Sequence, residues 1–331
     1  MSGDIVGSQI RKLALNNRYI VMANLTPILL ITFNRPNHTE KVLERILESE
    51  PAELYVFQDG PRAEIKSDFS KCSEVRNVIE KMVAKHVDTK LHLRYSEVNL
   101  GCGAGPMTAI DWFFSNVDQG IVMEDDCLAH PDFFGYCEQL LLKYKHNKRV
   151  GFINSTLYNN KWQCKTSYGF SHYMVTGAWA AWKETWEGFD LDLNSFSAKK
   201  FFFRVLSLTG SLPEALWWFK EVRSIQHDKS KKSYWDYQMQ ILLFNRRLLT
   251  IHPAVNLISN IGFDNEGTHT LENDGNGNLP QFPILPLTHP KYIRVNKRKD
   301  YRCWSKAKAE NYSVNFIKLT FELLKKYLNK H

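Results

Sequence analysis

Several things the sequence lacks narrow the field before anything it contains. In 331 residues no apolar run approaches the ~20 that a bilayer-spanning helix needs. The opening stretch, MSGDIVGSQIRKLALNN, has no apolar core of the kind a secretory signal carries, so a cytoplasmic chain is the expectation. The six cysteines, Cys72, Cys102, Cys127, Cys137, Cys164 and Cys303, form neither a C-x-x-C pair nor a zinc spacing. Reduced, mostly buried thiols in a cytosolic chain are the simplest reading. Without a leader, sequons such as Asn37-His38-Thr39 carry little weight. There is no internal repeat.

Acidic residues are scarce at one end only. From Lys291 to His331 twelve Lys and Arg face three acids, a local charge of +9 that leaves the rest of the +8 chain near −1. A nucleic-acid partner is not expected, because its binder would spread basic residues over a groove. Aromatics are plentiful (20 Phe, 14 Tyr, 9 Trp) and 44% of the chain is hydrophobic, enough for a full core.

Four regions are expected: an irregular lead-in over 1–25, a first half over 26–155, a second half over 156–289 and a basic tail over 290–331. In the first half PILLITF, ELYVF, LHLRYS, GIVM and RVGFINS read as strands. Helical spacing separates the first four, with Val42, Leu43, Ile46 and Leu47 after Asn37, read as the cap, and a later helix opened by Pro131. Alternating strands and helices predict an α/β fold, a mainly parallel sheet with helices on both faces. Beyond 155 the regularity fades into a mixed, tryptophan-rich region holding a helix at 235–247 and a strand at 248–253. NIGFDNEGTHTLENDGNGNLPQFP reads as a long functional loop, and Val314 to Leu328 as an amphipathic helix.

Ligands of parallel sheets bind beyond the carboxyl ends of the strands. Those ends carry Asn34-Arg35, Gln58-Asp59, Asn99 with Gly101, and Glu124-Asp125-Asp126. Three adjacent carboxylates repel one another, so they are either left in water or brought to a hard divalent cation, Mn²⁺ or Mg²⁺. NLGCGAGP (99–106) is open to two readings, a tight strand-to-helix turn or a dinucleotide fingerprint with Glu124 as the ribose acid, although Pro106 takes the last glycine's place. Asp236, between aromatics at a helix start, suits the helix dipole or a general base. His269 stands alone in its loop.

PILLITFNRP, VFQDGPR, VMEDDCLAHPDFFGY, VTGAWAAWKETWEGF, YWDYQMQ and NEGTHT, in this order, resemble bacterial nucleotide-diphospho-sugar transferases of the GT-A fold, and are similar to eukaryotic N-acetylglucosaminyltransferase I. The resemblance spans roughly residues 26–272 and departs from the family where the WD helix reads WDYQ and after Gly267. It implies an inverting hexosyltransferase with a UDP-sugar donor and a glycan or lipid-linked oligosaccharide acceptor. It further implies that Arg35 and Asp59 hold the nucleotide, Glu124 and Asp125 touch donor sugar and ribose, and Asp126 is the metal ligand. Asp236 becomes the catalytic base, and Gly267, Thr268 and His269 close over the pyrophosphate. The tail, 291–330, is open to two readings, docking on an anionic membrane surface at the inner face or packing of its helix on the domain with the lysines in solvent. A nicotinamide-dependent oxidoreductase and a non-catalytic sugar-nucleotide or membrane module are the alternatives.

Overall fold

The computed structural model describes residues 25–157, 164–194, 196–228, 234–263, 277–300 and 303. Gly267, Thr268 and His269, the amphipathic stretch 314–328 and most of the lead-in lie outside these residues. The first half is a run of strand–helix units: β1 (Ile28–Thr32), α1 (Pro36–Leu47), β2 (Glu53–Gln58), α2 (Lys66–Val83), β3 (Lys90–Tyr95), α3 (Gly101–Asn116) and β4 (Gln119–Glu124). A short strand β5 (Cys127–Ala129), α4 (Asp132–Tyr144) and β6 (Val150–Asn154) follow. The second half adds β7 (Tyr168–Ser171), β8 (Ala178–Trp182), α5 (Lys183–Trp186), α6 (Ala198–Thr209), α7 (Leu212–His227), α8 (Asp236–Arg246), β9 (Leu249–Pro253), β10 (Ile258–Asn260) and α9 (Lys297–Asp300).

Eight strands form one sheet in the order β3-β2-β1-β4-β8-β6-β9-β7, and β5 pairs with β10 in a separate two-stranded ladder. The architecture is α/β and Rossmann-like. The pairings β3–β2, β2–β1, β1–β4 and β6–β9 are parallel, whereas β8 runs antiparallel to both β4 and β6, and β7 to β9. The second half therefore extends the same sheet.

Strand alternation sorts the core into two layers. Ile28 and Leu30 of β1, with Ile121 and Met123 of β4, pack against α1, α2 and α4. Leu29, Ile31 and Val122 face the other way, against Ile110 and Phe113 of α3 and Met239 of α8. A third cluster, with Phe201, Trp218 and Phe244, binds α6 and α7 to α8. Complete burial of such a side chain contributes roughly 1.5–3 kcal/mol, so the two layers fix the strand register near the site.

One expectation needs correction. Asn37 does not cap α1: Arg35 is the N-cap and Pro36 the first helical residue, because its fixed φ and missing N–H suit that position. Between the carboxylate triplet and the helix that follows Pro131 lies β5, held by β10. All six cysteines are free; Cys72, Cys127 and Cys137 are buried, and Cys102 is exposed. Among the described residues no helix is long and apolar enough to cross a membrane.

Candidate functional site

The sheet order reverses at β1. The chain leaves β1 towards β2 and β3 and returns on its other side as β4, which makes the β1/β4 boundary a topological switch point. Arg35 follows β1 directly and the acidic triplet ends β4. The Arg35 guanidinium grips both aspartates: Nη2 donates to Asp125 Oδ1, and Nη1 to Asp126 Oδ2 at 3.1 Å. Asp125, 2% exposed, also accepts the Phe33 amide at 3.3 Å. Its carboxylate is thus turned towards Arg35 and β1.

Asp126 accepts the Cys127 thiol on Oδ1 at 3.3 Å, and its carbonyl accepts the Ile261 amide at 2.8 Å. A Cβ on Gly262 would sit 2.6 Å from Asp126 Oδ2 and 3.0 Å from Arg35 Nη1. Only glycine lets the backbone after β10 approach the charged pair so closely. Gly262 was not singled out in the sequence, where its one signal was a glycine just before a long polar loop.

Glu124 shares the orientation of Val122, two residues earlier, and faces the α3/α8 layer. Its amide donates to the Gly177 carbonyl at 2.8 Å. Burial, the neighbouring Asp126 and, more weakly, Asp125 and Asp236 push its carboxyl up to about 8, against the opposing pull of Arg35. Burial likewise pushes Asp125 up, and the Arg35 guanidinium pulls the other way. Arg35 is held firmly ionised: burial works against its charge, and the two aspartates outweigh that cost.

Asp236 reaches this neighbourhood through aromatic packing. Trp235, just before α8, lies 6.0 Å from Trp179 of β8, and Trp179 pairs in register with Val122. The base implied at the start of the WD helix and the acidic triplet are therefore brought to one face of the sheet, although 110 residues separate them in the chain.

Asp59, at the end of β2, is 8% exposed and densely engaged. Its oxygens accept the amides of Gly60 (2.9 Å), Leu100 (2.8 Å) and Gly101 (2.9 Å), and Asn99 Nδ2 (3.1 Å). The carboxylate builds the turn into α3, and Gly60 is required where the Val98 backbone comes within 2.5 Å of its Cβ position. This removes the dinucleotide fingerprint. The amides that would receive a pyrophosphate are already bonded to Asp59, Gly103 and Gly105 lie inside α3, and Glu124 ends a strand three places away from β3.

The rim is also a reasonable place for a hard divalent cation. Two carboxylates meet one guanidinium with a third beside them, the donors are oxygens, and no carbon crowds Asp126 from Gly262. Among the described residues no cluster of three or more His, Cys, Asp or Glu is arranged as a complete metal cage. Of the triplet, Asp126 is more exposed than Asp125 and is the side chain that could hold such an ion together with substrate oxygens and water.

No protein-family model matches the sequence, and no curated protein matches it. Solved structures with related strand–helix order include a mannosyltransferase from Pyrobaculum calidifontis in complex with GDP-Man and Mn²⁺, at 11% identity and a TM-score of 0.37, covering 66% of this chain and 85% of that one. A UDP-glucose pyrophosphorylase complexed with UDP-glucose aligns at 8% identity and a TM-score of 0.36 over 68% of this chain and 89% of that one. The glycosyltransferase GlyE of Streptococcus pneumoniae TIGR4 aligns at 8% identity and 0.35, over 68% and 45%. At such values the likeness carries no argument about this chain.

Proposed function

We propose that the chain is an inverting, metal-dependent glycosyltransferase that moves a hexose, GlcNAc as first choice, from a UDP-sugar to a hydroxyl of a glycan or lipid-linked oligosaccharide. One observation carries the reading: Arg35, the Glu124-Asp125-Asp126 triplet and Asp236 come together at the switch point of the sheet. Arg35 and the Asp59-built turn bound the nucleotide end of the crevice. Asp125 and Asp126 together hold the Arg35 guanidinium in place at that end. Glu124, on the α3/α8 side of the strand end, is the carboxyl that would meet a donor-sugar hydroxyl.

Asp126 is the residue that would hold Mn²⁺ or Mg²⁺. When bound, such an ion supplies Lewis-acid stabilisation of the leaving diphosphate, worth several kcal/mol. Asp236, on the α8 side of the crevice, takes the proton of the acceptor hydroxyl as its oxygen forms the new bond to the anomeric carbon. The sugar–phosphate bond breaks on the opposite face and its electron pair leaves with UDP. A single displacement inverts the anomeric centre and needs no covalent nucleophile.

Thermal unfolding with UDP, UDP-GlcNAc, UDP-Gal, GDP-Man and NAD, each with and without Mn²⁺, tests the donor half. UDP ligands with Mn²⁺ are expected to stabilise; stabilisation by NAD with indifference to UDP and metal overturns the reading. For the base, Asp236→Asn is expected to lose about 10²–10⁴-fold in turnover while donor affinity is retained. Near-normal turnover in that variant would remove Asp236 from the mechanism.

A further inference from the structure

Next to Asp236 in the chain, aromatic rings on α7 and α8 form a small shelf. Trp217 and Tyr237 lie 5.7 Å apart with their planes tilted by 52°, and both are only partly buried. Trp218, buried, backs them, 4.7 Å from Trp217 and 6.1 Å from Tyr237. Tyr234 precedes α8 and is 45% exposed. The carboxylates of Asp236 and Glu221 border the same group: burial raises the Tyr237 hydroxyl's pKa first, then Asp236, Glu221 and Tyr234 add to it.

Trp217 and Tyr237 pack on the third core cluster, with Phe201, Trp218 and Phe244 in it, and keep part of their surface in solvent. Aromatic faces offer apolar area with little conformational entropy to lose, and flanking carboxylates accept hydroxyl hydrogen bonds. A pyranose ring has matching chemistry: a C–H face that packs on an aromatic ring, and a rim of hydroxyl donors. Position selects the occupant further. Asp236 lies near enough to both Glu124 and Tyr237 for its charge to act on each, so a sugar resting on the shelf has its hydroxyls near the carboxylate proposed as the base.

We propose that Trp217, Tyr234 and Tyr237, with Glu221, form the acceptor subsite, and that they take a neutral pyranose rather than a uronic or sialic acid residue. Two carboxylates at the border repel a third carried by the ligand. The inference rests on the transferase reading for its direction, since it names what lies on the acceptor side of Asp236.

The test is saturation-transfer NMR on the full chain with lactose, chitobiose and maltotriose as neutral probes and trigalacturonate as the anionic one. At least one neutral probe is expected to receive saturation, strongest at the ring protons of one face. Tyr234→Ala and Trp217→Leu are each expected to weaken that binding by about fivefold, with UDP binding in the presence of Mn²⁺ unchanged by calorimetry. Tyr234 is exposed enough for its variant to fold, and an unaltered unfolding temperature is the check on both. Glu221→Gln is expected to improve trigalacturonate binding. The shelf is overturned if no neutral probe binds, if the variants bind as wild type does, or if trigalacturonate binds wild type as well as the neutral sugars. Loss of UDP binding in wild type with the sugar response intact would instead strike the donor reading and leave a carbohydrate-binding surface.

Discussion

Two arginine–aspartate sites lie close together on the same rim of the sheet and differ in their charge balance. Arg62 meets one carboxylate: its Nε and Nη2 donate to Asp68 at 2.6 and 3.1 Å, and Asn34 Nδ2 and the Arg62 amide complete the set at 2.7 and 3.2 Å. The Arg62 side chain, through these hydrogen bonds, holds the Asp68 carboxyl below its ordinary range although Asp68 is 1% exposed. Arg35 meets Asp125 and Asp126 with Glu124 close by, and there two carboxyls are pushed up. A balanced pair is satisfied within the fold. An overloaded one stores repulsion that a cation or a charged ligand relieves, which is the physical reason to place chemistry at Arg35 and structure at Arg62.

The strongest way to break this contrast is to substitute the aspartate at each site. Asp126→Asn is expected to lower UDP release from UDP-GlcNAc by about 10³-fold, the equivalent of several kcal/mol of metal-held charge stabilisation. Urea unfolding of the same variant at neutral pH should show no loss of stability, because the change takes a charge from a site where two neighbouring carboxyls are already pushed up. Activity close to wild type, or a large loss of stability, would put Asp126 in the same structural class as Asp68.

Arg62→Ala should behave in the opposite way. It leaves Asp68 buried with Asn34 and one backbone amide, and two charge-assisted bonds are lost. Discounted for the partial exposure of Arg62, the expected loss is about 2 kcal/mol of unfolding free energy. Turnover per folded molecule, measured well below the unfolding temperature, should be unaltered. An activity defect without a stability defect would show that both arginines serve the ligand.

Only part of this contrast was legible in the sequence. The buried strands ILLIT and ELYVF, the acidic end of β4 and the WD start of α8 could all be read from apolar runs and their polar ends. Pairing across the sheet could not. Arg35 and Asp125 are 90 residues apart, and nothing local marks them as partners. Nor did FQDG reveal that Asp59 bonds the amides at 100 and 101, which its place beside β3 dictates. The helices α6 and α7 went unseen among the aromatics, although Ser197 and Ser211 cap them by accepting from Lys200 and Glu214 and Gly210 separates them. There tertiary burial on several sides blurred the helical period. The antiparallel strand β8, AWAAW, is buried throughout and gave no alternation to read.

The smallest expected effect separates the two sites by pH. Asp68 has a folded-state pKa below its ordinary 3.8, so its contribution is present above that value and is lost as pH falls through the folded one. Glu124 has the opposite sign. With its carboxyl raised from 4.5 to about 8, chiefly by burial and then by Asp126, the folded state binds more protons than the unfolded chain across that interval. Stability is therefore greatest below about 4.5 for this group and declines as pH rises towards 8. Glutamine at 124 keeps the shape and has no proton to lose. In metal-free buffer Glu124→Gln should match wild type near pH 5 and unfold about 3 °C higher near pH 8, while an Asp68→Asn chain should fall below wild type at both. Parallel melting curves for Glu124→Gln and wild type across this range would mean that the triplet is solvated rather than crowded, and the distinction between the two arginine sites would lose its electrostatic basis.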